Sequence, residues 1–159
     1  MAFEIERKFL VNNKLNLELA LSKTRIVQAY LFNQKDKSLR LRLSNNNAYL
    51  TFKASTETQS NIKRHEHEQS IPIEEGKELL KKCEPGKIEK LRYIFPVGQH
   101  HFEVDVFEGD NHGLVIAEVE LQSESEAFEK PEWLGKEVTR DTRYLNAELI
   151  KNPYINWKP

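Results

Sequence analysis

The sequence lacks several features that would assign it to a common class of protein. Its 159 residues include one cysteine, Cys83, which excludes an intramolecular disulfide and a Cys-x-x-Cys zinc site. No apolar run is long enough to cross a bilayer, and the N-terminus lacks the apolar segment of a signal peptide. Repeats, linkers and low-complexity stretches are also missing, so we predict a single domain over residues 1–159. We therefore expect a cytoplasmic protein without a membrane partner.

The chain also has no excess of charge of either sign. Its 24 Lys and Arg residues balance 25 Asp and Glu residues, which leaves a net charge of -1. Because binding to nucleic acid would require a basic surface, we expect no nucleic-acid partner. Charged residues nevertheless make up 31% of the chain, and the mean hydropathy is -0.68. The apolar residues follow a strong pattern, which argues against disorder, so the arrangement of the charges is the informative feature.

Eight segments of the sequence alternate between apolar and polar residues, which is typical of β-strands. They lie at residues 3–11, 26–33, 38–44, 48–54, 62–71, 88–97, 100–108 and 114–122. Helices are predicted between or after these strands, at residues 74–83, 123–131 and 141–150 and, more weakly, at residues 15–22. Ser123 and Glu126 resemble a capping box, and Asp141 is a candidate N-cap.

Alternation along each strand gathers charged residues on one face. In the first strand, Glu4, Glu6 and Lys8 share one face, and apolar residues occupy the other. Carboxylates two residues apart stand about 7 Å from each other and repel, which does not stabilise a fold. Paired carboxylates beside an ammonium can instead hold a hard metal ion and the phosphate that it carries. Same-sign pairs follow at Arg40 and Arg42, Glu66 and Glu68, Lys90 and Arg92, Glu103 and Asp105, and Glu118 and Glu120.

Two architectures are compatible with this pattern. One is a sandwich whose charged faces point into water, and the other is a closed antiparallel barrel whose charged faces point inward. Same-sign pairs gain energy only if strands or ligands of opposite charge face them, which favours the barrel. Eight strands enclose a lumen large enough for one small ligand. We predict an α+β fold with a closed eight-stranded antiparallel barrel, a charged lumen and flanking helices. Such a lumen suits a small polyanion chelated to a divalent cation.

An ordered set of short motifs runs through the chain. It opens with Glu4-Ile5-Glu6-Arg7-Lys8, which looks like an ExExK signature. The motifs that follow are Gln28-Ala29-Tyr30-Leu31, Arg40-Leu41-Arg42, Thr51-Phe52-Lys53, Arg64-His65-Glu66-His67-Glu68, Lys90-Leu91-Arg92-Tyr93, Glu103-Val104-Asp105 and Ala117-Glu118-Val119-Glu120. The set resembles the CYTH superfamily of triphosphate tunnel metalloenzymes. The stretch from Trp133 to Thr139, together with Arg143-Tyr144, is similar to the C-terminus of short bacterial members.

The resemblance implies a role for each charged position. It implies Mg²⁺ or Mn²⁺ as cofactor, which suits oxygen ligands, held at or near the acidic residues Glu4, Glu6, Asp105, Glu118 and Glu120. It implies that the triphosphate is clamped by the basic residues Lys8, Arg40, Arg42, Lys53, Arg64, Lys90 and Arg92. For Arg64 an equally open role is an ion pair with Glu66, Glu68 or another acid inside the tunnel.

The reaction implied by the resemblance is metal-dependent hydrolysis of a phosphoanhydride bond in a small polyanion, first of all inorganic tripolyphosphate. Lys8 and Tyr30 are the candidates for orienting or deprotonating the water. Alternatively, Tyr30 only packs in the barrel wall, or a second metal activates the water. A class IV adenylate cyclase, a thiamine or nucleoside triphosphatase, and a non-catalytic polyphosphate-binding module are the other functions to consider. The four glutamates Glu4, Glu6, Glu118 and Glu120 argue against the non-catalytic module, because binding an anion alone would not need so many carboxylates. We expect a monomer or a homodimer.

Overall fold

The computed structural model describes residues 5–57 and 62–157. These residues form nine β-strands and two short α-helices. For residues 56, 57 and 62–64 only the backbone is described. The strands are β1 (Ile5–Val11), β2 (Ser22–Asn33), β3 (Lys37–Ser44), β4 (Asn47–Glu57), β5 (Ile62–Ile71), β6 (Ile88–Val97), β7 (His100–Phe107), β8 (Val115–Leu121) and β9 (Leu134–Glu137). The α-helices are α1 (Ile73–Leu80) and α2 (Asn146–Lys151).

The chain divides into two compact units. The first contains the described residues up to Thr24 and from Lys90 onward, and the second is Arg25–Glu89. Strands of the first unit pair antiparallel in the order β6-β7-β8-β1-β9. Strands of the second unit pair antiparallel in the order β5-β4-β3-β2.

The core of the first unit lies on one side of its sheet. It consists of Phe9, Phe95, Phe102, Val104, Ala117, Val119 and Leu121, each of which is buried. Four of these residues, Phe102, Val104, Val119 and Leu121, have polar or charged neighbours on both sides, as the two-residue period of a half-buried strand predicts. Two aromatic residues from the segment after β8 cover the cluster: Phe128 lies 5.9 Å from Phe9, and Trp133 lies 5.4 Å from Phe102.

A second aromatic contact in this unit holds the end of the chain. The ring of Trp157 lies 5.1 Å from the rings of both Tyr144 and Tyr154. The backbone N–H of Tyr154 also donates to the side chain of Asn111 at 2.8 Å. The C-terminal segment is thereby packed against the loop that precedes β8.

Helix α1 packs on β3 and β4 in the second unit. Gly76 is buried in this contact, because a Cβ at that position would stand 2.6 Å from Ala48 Cβ and 2.8 Å from Leu43 Cδ2. Leu41 in the middle of β3 is completely buried. The apolar positions of β3 and β4 therefore face the helix side, as the alternation predicts.

The predicted antiparallel β-structure with few helices is confirmed, and all eight predicted strands are present. The number of strands is wrong, because Leu134–Glu137 forms a ninth strand, β9, beside β1. Four residues are too few to show a period in the sequence. Closure into a barrel and the single domain stay predictions. The first two residues of the first predicted segment, Phe3 and Glu4, lie outside the described residues.

The helix predicted between residues 123 and 131 is wrong. Glu126 N donates to Ser123 O at 3.2 Å, which closes only one turn. The side chain of Glu126 instead accepts from Gln122 N at 2.8 Å and contacts His100 Nε2 at 2.5 Å. The following residues then extend so that Phe128 reaches the core.

The other predicted helices are shorter than the patterns indicate. Helix α1 is confirmed but ends at Leu80 instead of Cys83. Asp141 caps a single 3-10 turn by accepting from Arg143 N at 3.1 Å, and Leu145 is then extended before α2 begins. Residues 15–22 form one 3-10 turn, Leu17–Leu19, because β2 already begins at Ser22. In residues 5–57 and 62–157, no helix is long and apolar enough to cross a membrane.

Gly76→Ala should lower the free energy of unfolding by about 1–3 kcal/mol, because the added methyl overlaps Ala48, whose Cβ cannot rotate away. This loss should outweigh the gain of up to about 1 kcal/mol that Ala has over Gly within a helix. Urea unfolding followed by circular dichroism would measure the change. Lys77→Ala, at the next and exposed position of α1, is the control and should change stability by less than about 0.5 kcal/mol. An equally stable Gly76→Ala protein would contradict the close packing of α1.

Candidate functional site

Acidic residues from three strands meet on the side of the first unit's sheet opposite its core. On β1, Glu6 lies across from Glu120 of β8. The next residue on the same face, Lys8, lies across from Glu118 of β8. On its other side, Glu118 lies across from Glu103 of β7. Four carboxyl groups and one ammonium group therefore occupy neighbouring positions.

Glu118 is at the centre of this group. Lys8 Nζ lies 3.7 Å from Glu118 Oε1, and the two side chains are 12% and 14% exposed. Desolvation and repulsion from Glu118 and Glu120 raise the pKa of Glu6, although Lys8 opposes the shift. Negative charge is therefore in excess here.

The donor chemistry of this group fits a hard divalent cation. Glu6, Glu118 and Glu120 offer carboxylate oxygens, which Mg²⁺ and Mn²⁺ prefer. A cation would also relieve the repulsion that raises the pKa of Glu6. Within residues 5–57 and 62–157, no three acidic, histidine or cysteine side chains already stand in an arrangement that could hold a metal ion. Part of the cation's shell would then come from water or phosphate oxygens, as is common for Mg²⁺.

A second ionic cluster on this face is largely buried. Lys90 on β6 is completely buried, and its Nζ lies 2.8 Å from Asp105 Oδ2 and 3.4 Å from Asn146 Oδ1. Arg92 binds Asp105 through two hydrogen bonds, at 2.8 and 3.0 Å. Its third nitrogen, Nη1, lies 2.7 Å from Glu103. Asp105 is therefore shared by two cations, and Glu103 provides the second negative charge.

The charges of this cluster depend on one another. Burial lowers the pKa of Lys90, against the attraction of Asp105. Burial alone would raise the pKa of Asp105, but Lys90 and Arg92 outweigh it and lower that pKa to about 2. For Arg92, burial is again unfavourable, yet the bonds with Asp105 and Glu103 raise its pKa. The predicted roles of Asp105 at the metal and of Lys90 and Arg92 as phosphate clamps stay predictions; in this structure the three bind one another.

Two arginines on β3 of the second unit are oriented by neutral side chains. Arg42 donates from Nε and Nη2 to Gln28 Oε1, at 3.0 and 2.9 Å. Arg40 Nη2 donates to Thr51 Oγ1 at 3.4 Å, and Thr51 donates to Glu68 at 3.2 Å. Gln28 and Thr51 are each 1% exposed, so these buried contacts fix the orientation of the two guanidinium groups. In the described part of the chain, Arg40 Nε is buried without a hydrogen-bond partner, as a donor reserved for an anion would be.

Two further predicted residues lie on this face of the second unit. Tyr30 on β2 is across from Arg40, and Lys53 on β4 is across from Glu66 of β5. Tyr30 therefore shares a face with the arginines. Lys8 belongs to the first unit, and its partnership with Tyr30 stays a prediction.

Glu4 and Arg64 complete the set of predicted site residues. Glu4 lies outside the described residues. The backbone of Arg64 belongs to β5, but its side chain is outside the described part. Its two alternative roles, phosphate clamp and ion-pair partner, therefore stay open, and so does the metal-ligand role of Glu4.

Three residues that hold the charged groups were not assigned roles from the sequence. Gln28 and Thr51 fall within the predicted motifs, and a signal was present, because each shares a strand face with a predicted site residue. Asn146, which contacts Lys90, gave no signal. It follows an extended residue at the start of α2, and its contact spans 56 residues of sequence.

Known proteins resemble this chain over nearly its whole length. The family model of the CYTH domain matches residues 2–154. An inorganic triphosphatase of Acetivibrio thermocellus is 48% identical over 159 residues, which cover 99% of each chain. An inorganic triphosphatase of Nitrosomonas europaea is 39% identical over 151 residues, which cover 92% of this chain and 95% of the relative. A crystal structure of an inorganic triphosphatase has a TM-score of 0.74 and 35% identity, covering 94% of this chain and 95% of the other.

Asp105→Ala should lower the free energy of unfolding by about 3–5 kcal/mol at pH 7, because it leaves the buried Lys90 without its counter-charge. The folded-state pKa of Asp105 is about 2 against an ordinary 3.8. Its contribution is thus present above about pH 4 and is lost as the pH falls toward 2. The difference from the unchanged protein should shrink over that range. Urea unfolding at a series of pH values would measure it.

Glu103→Ala is the matched control, since it removes the other acidic partner of Arg92. The Glu103 side chain is 29% exposed, and water can replace it, so the expected loss is below about 1 kcal/mol. Equal losses for the two variants would contradict the assignment of Asp105 as the central charge of the cluster.

Proposed function

Because this chain belongs to the CYTH domain family, we propose that it is an inorganic triphosphatase, which hydrolyses a phosphoanhydride bond of tripolyphosphate. The observation that carries the proposal is the similarity to inorganic triphosphatases along the full length of the chain. The ionic faces support it, since they offer oxygen ligands for a cation and oriented donors for phosphate. Phosphoryl transfer needs little covalent chemistry from the protein beyond positioning and charge stabilisation.

Phosphate binding is the role proposed for the basic side chains. Arg40 has the strongest support, because its Nε is a buried donor with capacity for an anion. Arg42 follows it, because Gln28 orients its guanidinium group. Guanidinium groups bind phosphate oxygens in pairs, and lysine acts as a point charge. The remaining proposed clamps are Lys8, Lys53, Arg64, Lys90 and Arg92. Lys90 and Arg92 would reach phosphate only by exchanging part of their contact with Asp105.

A divalent cation is the proposed cofactor, and the family is one of metal-dependent enzymes. Mg²⁺ or Mn²⁺ would be held by Glu6, Glu118 and Glu120, with Glu4 as a further proposed ligand. When bound, the cation neutralises charge on the phosphoryl oxygens. The support from the structure is the group of carboxylates around Glu118, where burial and then repulsion from Glu118 and Glu120 raise the pKa of Glu6.

Lys8 and Tyr30 are the residues proposed to orient or deprotonate the attacking water. Lys8 lies on the acidic face beside Glu118, where an ammonium can orient a water or stabilise developing negative charge. Tyr30 is proposed to share this role. Closure of the strands into a tunnel, and a monomer or homodimer, remain our proposals for the architecture. Family membership and the gathering of same-sign charges on one face of each strand support the tunnel.

The purified protein with Mg²⁺ or Mn²⁺ should release phosphate from tripolyphosphate faster than from ATP or thiamine triphosphate. The reason is that the proposed clamps all recognise phosphate and none is assigned to an organic group. A phosphate-release assay over the three substrates and two metals, with a chelator as the metal-free control, would test it. Equal or faster release from ATP, or formation of cyclic AMP, would overturn the substrate assignment.

Glu118→Gln should lower kcat for tripolyphosphate at least about a hundredfold, because it removes the charge at the centre of the acidic group. The variant should also bind Mn²⁺ more weakly, as titration calorimetry would show, while its thermal unfolding stays cooperative. Glu124→Gln, an equal charge change at an exposed position after β8, should leave both quantities unchanged. Full metal affinity in Glu118→Gln would remove Glu118 from the proposed cation site.

A further inference from the structure

The C-terminal motif from Trp133 to Thr139 has no role in the proposed hydrolysis, although it includes strand β9. In the structure it runs antiparallel to β1, with Leu134 opposite Val11 and Glu137 opposite Phe9. The motif therefore lies directly beside the strand that carries Glu6 and Lys8.

Two residues of the motif allow β9 to approach β1 closely. The ring of Trp133 lies 5.4 Å from the rings of both Phe95 and Phe102, which anchors the start of the strand in the core. Gly135 then passes against Leu10, where a Cβ would stand only 2.9 Å from the Leu10 carbonyl oxygen. Any larger residue at 135 would push the two strands apart.

The end of the motif binds both main-chain polar groups of Lys8. The N–H of Lys8 donates to Thr139 Oγ1 at 3.0 Å, and its carbonyl oxygen accepts from Val138 N at 2.8 Å. The first of these bonds depends on a side chain, so a substitution can remove it without altering the backbone. From this fixed backbone the Lys8 side chain extends to Glu118.

An ion pair orients the Thr139 hydroxyl. Thr139 Oγ1 donates to Glu137 Oε2 at 2.6 Å, and Arg7 binds both oxygens of Glu137 at 2.8 and 2.6 Å. The hydrogen bonds from Arg7 lower the pKa of Glu137 to about 2, and the hydroxyl contributes in the same direction. Thr139 Oγ1 also lies 3.5 Å from the Lys8 carbonyl oxygen, but the ionised Glu137 carboxylate is the closer acceptor. The one hydroxyl proton therefore points to Glu137, and an oxygen lone pair faces the Lys8 N–H.

We propose that Thr139 is a positioning residue for catalysis: with Arg7 and Glu137 it fixes the backbone of Lys8 and so the place of the Lys8 ammonium. The inference rests on the proposed function, in which that ammonium acts beside Glu118. Arg7 and Lys8 are neighbours whose side chains point to opposite faces of β1. The contacts of Arg7 with Glu137, and of Glu137 with Thr139, therefore lie on one face and hold the backbone of Lys8, whose ammonium group lies on the other.

Thr139→Val replaces the hydroxyl by a methyl group and tests the inference. It should lower kcat for tripolyphosphate about ten- to a hundredfold and leave KM within about twofold, because phosphate binding is spread over other bases. The Lys8 amide should exchange with solvent at least about tenfold faster, as nuclear magnetic resonance would show, since its acceptor is gone. Thr139→Ser, which keeps the hydroxyl, should restore both quantities to near the starting values.

Two further variants separate positioning from general stability. Glu126→Gln weakens a different contact of the same C-terminal segment, with His100 and Gln122 N, and should lower the melting temperature without changing kcat or Lys8 exchange. Arg7→Met releases Glu137 from its ion pair and should reproduce part of the kcat loss, which provides a second test if Thr139→Val does not fold.

The outcomes distinguish this inference from the proposed function. If the unchanged protein hydrolyses tripolyphosphate and Thr139→Val keeps its kcat or its slow Lys8 exchange, the positioning role is overturned and the hydrolysis stands. The same holds if Thr139→Ser is as impaired as Thr139→Val, or if Arg7→Met is fully active. If the unchanged protein hydrolyses no triphosphate, the proposed function is overturned, and with it any catalytic meaning of the contact.

Discussion

The two-residue repeat of the β-strand is the constraint on which the rest of this structure depends. Burying Phe102 and Val104 on one face of β7 commits Glu103 and Asp105 to the other, and the same holds for Val119 against Glu118 and Glu120. A shift of one residue in strand pairing would exchange the two sets and bury the carboxylates in the aromatic core. The apolar core therefore specifies the position of the ionic groups as firmly as their own contacts do.

The charged groups fall into two kinds of environment, and the difference explains their separate tasks. Asp105 and Glu103 balance the charges of Lys90 and Arg92 in a largely buried cluster, where removing Asp105 leaves an uncompensated charge. Around Glu118, by contrast, acids exceed bases, and Arg40 and Arg42 are held by amide and hydroxyl groups. The first arrangement favours stability. The second leaves Arg40 Nε as a buried donor without a hydrogen-bond partner in the described part of the chain, and such a donor can bind an anion.

Much of this could be predicted from the sequence because the determining signal is local. Each strand longer than six residues shows the two-residue alternation in its sequence. Whether a charged residue stands at an odd or an even position then assigns it to one face of the strand. The short β9 and the absent helix after Ser123 could not be predicted in this way. Both depend on contacts distant in sequence: Phe128 and Trp133 reaching the core, and Glu126 reaching His100. The pairing of Lys90 with Asp105 and Asn146 is likewise tertiary, since the sequence indicates which face carries a charge but not which partner it binds.

The aromatic packing has a practical consequence for observing this molecule. Both of its tryptophans belong to the first unit, Trp133 against Phe95 and Phe102, and Trp157 between Tyr144 and Tyr154. Intrinsic fluorescence excited near the red edge of indole absorption therefore originates from that unit alone. Unfolding of Arg25–Glu89 alone would therefore not change the tryptophan fluorescence through a tryptophan of its own. A single tryptophan introduced on the outer surface of the second unit would turn the two halves into separately readable reporters.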